Sequence, residues 1–137
     1  MHNAAARYLL DAVPAIGTAA ADEVRRGVAD HFRLDDRRRL VALPDEGPNG
    51  FVDGVQAFFE LGLGQPSFSV VRIVATRGDR LALGHNRIEF PSGDAVDVLS
   101  LVQLTTDLTQ MEVEVTFDVD DEAAAVTELD RMHRSIE

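Results

Sequence analysis

From residue 67 to residue 133, apolar and polar positions follow two periods in succession. The segments SFSVVRIVATRGDRLALGHNRIEF, AVDVLSLVQLTT and MEVEVTF alternate with the two-residue period of strands, and DVDDEAAAVTELDRMH then takes up a helical period. Arg77-Gly78-Asp79 is a tight connection in which Gly78 supplies a positive φ, and Pro91-Ser92-Gly93 makes the next turn. Val96, Val98, Val102 and Leu104 mark one face of their strand, but Leu99 and Leu101 occupy the other, so both faces should be partly buried. Met111, Val113, Val115 and Phe117 alternate with Glu112, Glu114 and Thr116, the pattern of a one-sided strand. Asp118 is expected to cap the closing helix. Asp120, Asp121 and Glu122 would stand in its first turn, Arg131, His133 and Arg134 in its last, and Ala125, Leu129, Met132 and Ile136 on its buried stripe.

Helical patterns dominate the first half. Ala4 to Val13 predicts a helix stopped by Pro14 and Gly17. A second is expected from a Thr18 cap, with Ala21, Val24, Val28 and Phe32 on one stripe and Gly27 weakening it. RLDDRRRLVALP then predicts a strand ending at Pro44, and PDEGPNG a loop. Phe51 to Leu61 predicts a third helix, with Val52, Val55 and Phe59 on one side and Phe58 beside them. Gly62-x-Gly64 follows a helix rather than a strand, so it punctuates the chain and does not cradle phosphate. The expected class is α+β.

Three segments carry a resemblance: Asp35-Asp36-Arg37-Arg38-Arg39-Leu40-Val41, Ala75-Thr76-Arg77-Gly78-Asp79-Arg80-Leu81-Ala82-Leu83, and Phe117-Asp118-Val119-Asp120-Asp121 through Glu128-Leu129-Asp130. Asn3-Ala4-Ala5 with Arg7 adds a fourth. With the order helix, helix, strand, helix and antiparallel meander, the chain resembles the nuclear transport factor 2-like superfamily, and within it a bacterial SnoaL-like, ketosteroid-isomerase-like branch. The resemblance implies one domain over residues 1–137. It would be a cone of curved antiparallel sheet covered by N-terminal helices and a short C-terminal helix. Related domains occur as parts of larger regulatory proteins. Two departures imply a differently packed helical lid: Ala15-Ile16-Gly17-Thr18-Ala19 lacks the aromatic of the branch's first turn, and His133 stands where the last helix carries an aromatic.

Composition narrows the partners. At 137 residues with net charge −11 and pI near 4.6, the chain is expected to bind neither nucleic acid nor an anionic membrane, which need positive surface. No apolar run approaches the ~20 residues that span a bilayer, and the N-terminus lacks a signal-peptide pattern. All 13 basic residues are arginine, and cysteine is absent, which removes disulfide and thiol chemistry and fits a cytoplasmic address.

Candidate chemistry is sparse. His2, His31, His85 and His133 are scattered without metal-ligand spacing. Asp118-x-Asp120-x-Glu122 fails as a calcium loop, because Ala123 stands where glycine is required and Leu129 where a glutamate is required. Neither a metal nor a cofactor is expected. No Gly-x-Ser-x-Gly motif occurs. On a strand, Arg37 and Arg39 would face one way and Arg38 the other, each pairing with nearby carboxylates. His85 and Arg87 share a strand face with Leu81 and Leu83, and are the expected polar anchors of a small apolar ligand walled by Phe32, Phe58 and Phe59. A tyrosine and an aspartate from elements broadly like those of Tyr8, Asp35 and Asp36 act in ketosteroid isomerases. No local motif here carries those roles over, so the catalytic residues stay unassigned.

The leading expectation is a non-catalytic, small-molecule-binding or regulatory SnoaL-like domain, dimerising through apolar surface left by Leu99 and Leu101. The alternatives are an enzyme of isomerase, cyclase or epoxide-hydrolase type using pocket carboxylates, and a structural dimerisation module. Two convergent ionisable groups would favour the enzyme, a single polar anchor the binder, and a filled cone the structural module.

Overall fold

The computed structural model describes residues 2–16, 25–39, 47 and 67–136. Helix α1 (Ala4–Ile16) is followed by strands β1 (Val28–Asp36), β2 (Ser67–Arg77), β3 (Leu81–Glu89), β4 (Ala95–Leu104) and β5 (Met111–Asp118), and helix α2 (Glu122–Ile136) comes last. The five strands form one sheet in the order β1-β5-β4-β3-β2. β2 to β5 are an antiparallel meander, as the alternation predicts, and β1 joins β5 in parallel.

Each face of the sheet has its own core. Ala5, Ala6, Leu9 and Val13 of α1 pack on Val28, Phe32, Leu34, Ala82, Val102, Leu104 and Met111. Ala125, Leu129 and Met132 of α2 pack on Leu81, Leu83, Leu99, Leu101, Val115 and Phe117 opposite, so the expected stripe of the closing helix holds. Asn3 fixes the start of α1. Its Oδ1 accepts the Ala6 N–H at 2.8 Å, and its Nδ2 donates to the carbonyls of Gly78 and Leu81, both at 2.8 Å. Gly78 takes the expected positive φ of 54° in the β2–β3 turn. A Cβ on Gly84 would stand 3.1 Å from Leu9 Cδ1, so that glycine lets α1 lie close on the sheet.

Several expectations are corrected. α1 runs through Pro14 to Ile16, because a proline in the last turn removes only one N–H from the helix ladder. Val28 and Phe32 belong to β1, not to a helix. A register shift between Val28 and Arg33 interrupts the two-residue period and imitates a helical four-residue spacing. β1 ends at Asp36, so Arg37, Arg38 and Arg39 follow the strand instead of alternating along it. β5 lies between β1 and β4, and Thr116 is buried, so its polar side is not a solvent face. Asp118 ends β5, and the N–H of Ala125 in the first turn of α2 bonds to the Asp121 carbonyl instead. Leu99 and Leu101 are fully buried under α2 and leave no surface for a partner. The expected Thr18 cap, Ala21, Val24, residues 40–44 and the Phe51–Leu61 helix lie outside the described residues.

Candidate functional site

The α1 face of the sheet carries a row of polar residues that strand pairing sets side by side. Asp36 on β1 stands opposite Thr116 on β5, Thr116 opposite Ser100 on β4, and Ser100 opposite Gly84 on β3. Glu114 is two residues from Thr116 along β5 and shares its face, between Leu34 and Val102. Tyr8 of α1 packs against the core of the same side.

Charge is arranged closely here. The Asp36 side chain is only 1% exposed, and Arg38 grips it twice, Nε to Oδ1 at 2.9 Å and Nη2 to Oδ2 at 2.6 Å. The Arg38 backbone N–H adds a third bond to Oδ1 at 3.1 Å. Such a fork keeps a buried carboxylate ionised. Glu114 has no such clamp. Burial pushes its carboxyl up to about 7, the Asp36 charge adds to the rise, and Arg38 opposes it. Part of the Glu114 surface nevertheless stays open. Tyr8 is pushed up to about 12 by burial and then by Glu114, and its hydroxyl donates to the Gly27 carbonyl at 2.5 Å.

Two buried polar atoms of this face, Thr116 Oγ1 and Asn86 Oδ1, have no hydrogen-bond partner among the described residues. Asn86 Nδ2 donates to Ser100 Oγ at 3.0 Å. Chemically, the arrangement offers one carboxyl close to half-protonated at neutral pH beside a fixed ion pair.

The structure does not gather the expected ligand residues. Phe32 is buried in the α1-side core, whereas His85 and Arg87 project from the opposite face of the sheet. Arg87 holds Asp97 through Nε at 2.8 Å and Nη2 at 3.1 Å. His85 Nε2 lies 3.1 Å from Asp97 Oδ2 without the alignment of a hydrogen bond. Arg87 foremost, with help from His85, draws the Asp97 carboxyl down to about 2. Phe58 and Phe59 lie outside the described residues. The expected pairing of the arginines holds: Arg37 bonds Asp35 and Glu128, Arg38 bonds Asp36, and Arg39 pairs with Asp118, Asp120 and Asp121. Those last three carboxylates converge within 4.8 Å, but Arg39 already supplies the positive charge they attract. Glu114 was missed from sequence. The available signal was that Glu114, Thr116, Ser100 and Asn86 are polar residues inside otherwise apolar strands.

The overall shape resembles several solved structures. A SnoaL-like family protein from Agrobacterium tumefaciens, provisionally named an isomerase, matches with a TM-score of 0.65 over 83% of this chain and 96% of its own, at 18% identity. The delta 5-3-ketosteroid isomerase from Mycobacterium sp. matches at 0.63 over 87% and 95%, at 10% identity. The fold is nuclear transport factor 2-like. The epoxide hydrolase/cyclase-like enzyme SalBIII, which has a role in pyran ring formation in the polyether salinomycin, carries this fold at a TM-score of 0.58 over 74% and 80%, with 7% identity. At such identities the nuclear transport factor 2-like fold is what is shared, and chemistry is not. No family model matches the chain, and no curated protein matches its sequence. No helix among the described residues is long and apolar enough to cross a membrane.

Proposed function

We propose that this chain is an acid–base enzyme that rearranges a small, largely apolar molecule by moving a proton, with Glu114 as the group that takes and returns it. The observation that carries the reading is the convergence of two carboxyls on one sheet face in unlike states. Asp36 is clamped as an anion, and Glu114 is poised at about 7 with open surface beside it. A general base works best when its proton affinity matches the ambient pH, and unlike neighbouring carboxyls commonly divide acid and base roles. Such an isomerisation consumes no co-reactant. One C–H bond breaks, the proton rests on Glu114, and it returns to another carbon of the same molecule. The names of two structural neighbours, an isomerase and an epoxide hydrolase/cyclase-like enzyme, support this class.

Binding without turnover is the second reading, supported by the Asp36–Arg38 pair, which leaves Glu114 alone to move protons. The two are separated by incubating the protein in D2O with β,γ-unsaturated ketones and following deuterium uptake and product by mass spectrometry. Turnover that rises through pH 7 and falls about 100-fold or more in Glu114→Gln is the expected result. Ligand binding with no exchange at any pH would leave the binder reading in its place.

A further inference from the structure

Strand β2 ends the sheet, so one side of its backbone has no strand beside it among the described residues. None of its residues is fully buried, whereas its neighbour β3 buries five of nine. The outer edge is not uniformly open. Val71 and Val74 are extra residues in the β2–β3 register, and such bulges twist an edge away from long partners. Between Val74 and the turn, the pairs Ala75–Leu83, Thr76–Ala82 and Arg77–Leu81 are regular. The Leu104 N–H bonds the Arg80 carbonyl, so alternation turns the main chain of Leu81 and Leu83 towards β2 and that of Thr76 outwards. Arg77 agrees with this, since its Nη1 reaches the outward Thr76 carbonyl at 2.8 Å. The Thr76 N–H is left for a partner. A groove of about 230 Å³ follows this stretch, lined by Ile73, Val74, Ala75 and Thr76 and by His2 from the segment before α1. Small-molecule pockets are larger, at ~300–1,000 Å³, and this one is walled mainly by strand. Its lining holds no carboxylate, in a chain with 24 of them, and its one ionisable residue is His2.

We propose that this edge is a docking site for a short extended peptide bearing a carboxylate, which adds to β2 as a further strand beside Ala75, Thr76 and Arg77. A carbonyl of the peptide accepts the Thr76 N–H, and its carboxylate lies against His2 and Arg77. Arg77 has room for it. Its Nε holds Asp130 at 2.8 Å and its Nη1 the Thr76 carbonyl, while Nη2 bonds nothing among the described residues. In such sites main-chain bonds give affinity and the alternate side chains give selectivity. A second copy of β2 fits less well. The two bulges interrupt its length, and the pairing would gather the arginines of both copies along one seam. β5, which carries Glu114, lies three strands away, so docking and proton transfer can fail separately.

The probe is the capped peptide acetyl-Val-Thr-Val-Asp-amide, titrated to millimolar concentration against the isotope-labelled full chain while backbone amide shifts are followed by NMR. Shifts should concentrate at His2 and along Ile73, Val74, Ala75 and Thr76. The same peptide ending in lysine should bind about threefold more weakly. A version N-methylated on alternate residues lacks the strand donors and should bind about tenfold more weakly or worse. Thr76→Pro removes the outward N–H without touching the ladder to β3, so binding should be lost with little change in melting temperature. If that variant does not fold, the N-methylated peptide on the wild-type chain still decides. Equal binding of either control peptide, shifts confined to another part of the chain, or no shifts at all would overturn the proposal. The same shifts appearing without peptide, as the chain is concentrated and dimerises, would make a second copy the occupant and overturn it too.

Discussion

Burial holds the Glu114 carboxyl at about 7, against 4.5 for the ordinary group. Between those values the folded chain keeps a proton that the unfolded chain releases, so folding loses stability as pH rises from 4.5 to 7. The loss is at most about 3 kcal/mol, and it is complete above neutrality. Glu114→Gln should flatten that slope and raise the melting temperature at pH 8, as thermal denaturation across pH 4.5–8 would show. Asp97 acts with the opposite sign and in another window. Its folded value of about 2 lies below the ordinary 3.8, so its stabilisation is present above 3.8 and is lost as pH falls from there towards 2. Thr116→Val deletes a buried hydroxyl that has no partner among the described residues, so the melting temperature should hold or rise. A clear fall would show that the hydroxyl has a structural partner. Little of this was legible in the sequence. The alternation of Glu112 and Glu114 with Met111, Val113 and Val115 describes a strand half in water. What brings Glu114 into the interior is the pairing of β1 beside β5, which nothing within β5 records.

At the level of elements, those with an uninterrupted period were readable. The stripe of α2 and the two faces of β4 stand as expected, because regular spacing and local turns determine both. β1 was misread for a physical reason: its register shift moves Val28 and Phe32 into a helix-like spacing just before the regular part of the strand. α2 is also joined to the end of β1 by charge, where Glu128, 7% exposed, receives Arg37 and Arg131. Leu129 is fully buried in the same interface. Leu129→Asp should therefore cost at least about 3 kcal/mol, seen as a large fall in melting temperature. An unchanged midpoint would mean that α2 does not belong to the cooperative core.

For the whole molecule, the balance of charge matters more than any single pair. With 24 acidic against 13 basic side chains, the folded chain repels itself, and moderate salt should relieve that repulsion. The melting temperature is expected to rise between low and physiological ionic strength. A fall would mean that arginine–carboxylate pairs such as Arg39 with Asp118, Asp120 and Asp121 outweigh the repulsion. The same excess of carboxylates disfavours anionic ligands at the exterior.

The parallel pairing of β1 with β5 has a consequence for how the protein is made. β2 to β5 can zip together from neighbouring hairpins, but β1 must wait for the last strand to be synthesised before it has a partner. The step that docks β1 also brings Asp36 and Arg38 to Glu114. The polar cluster of the α1 face is therefore completed last, after the meander has closed. A nascent or truncated chain lacking β5 would carry the arginine and the aspartate with neither Glu114 nor Thr116 beside them.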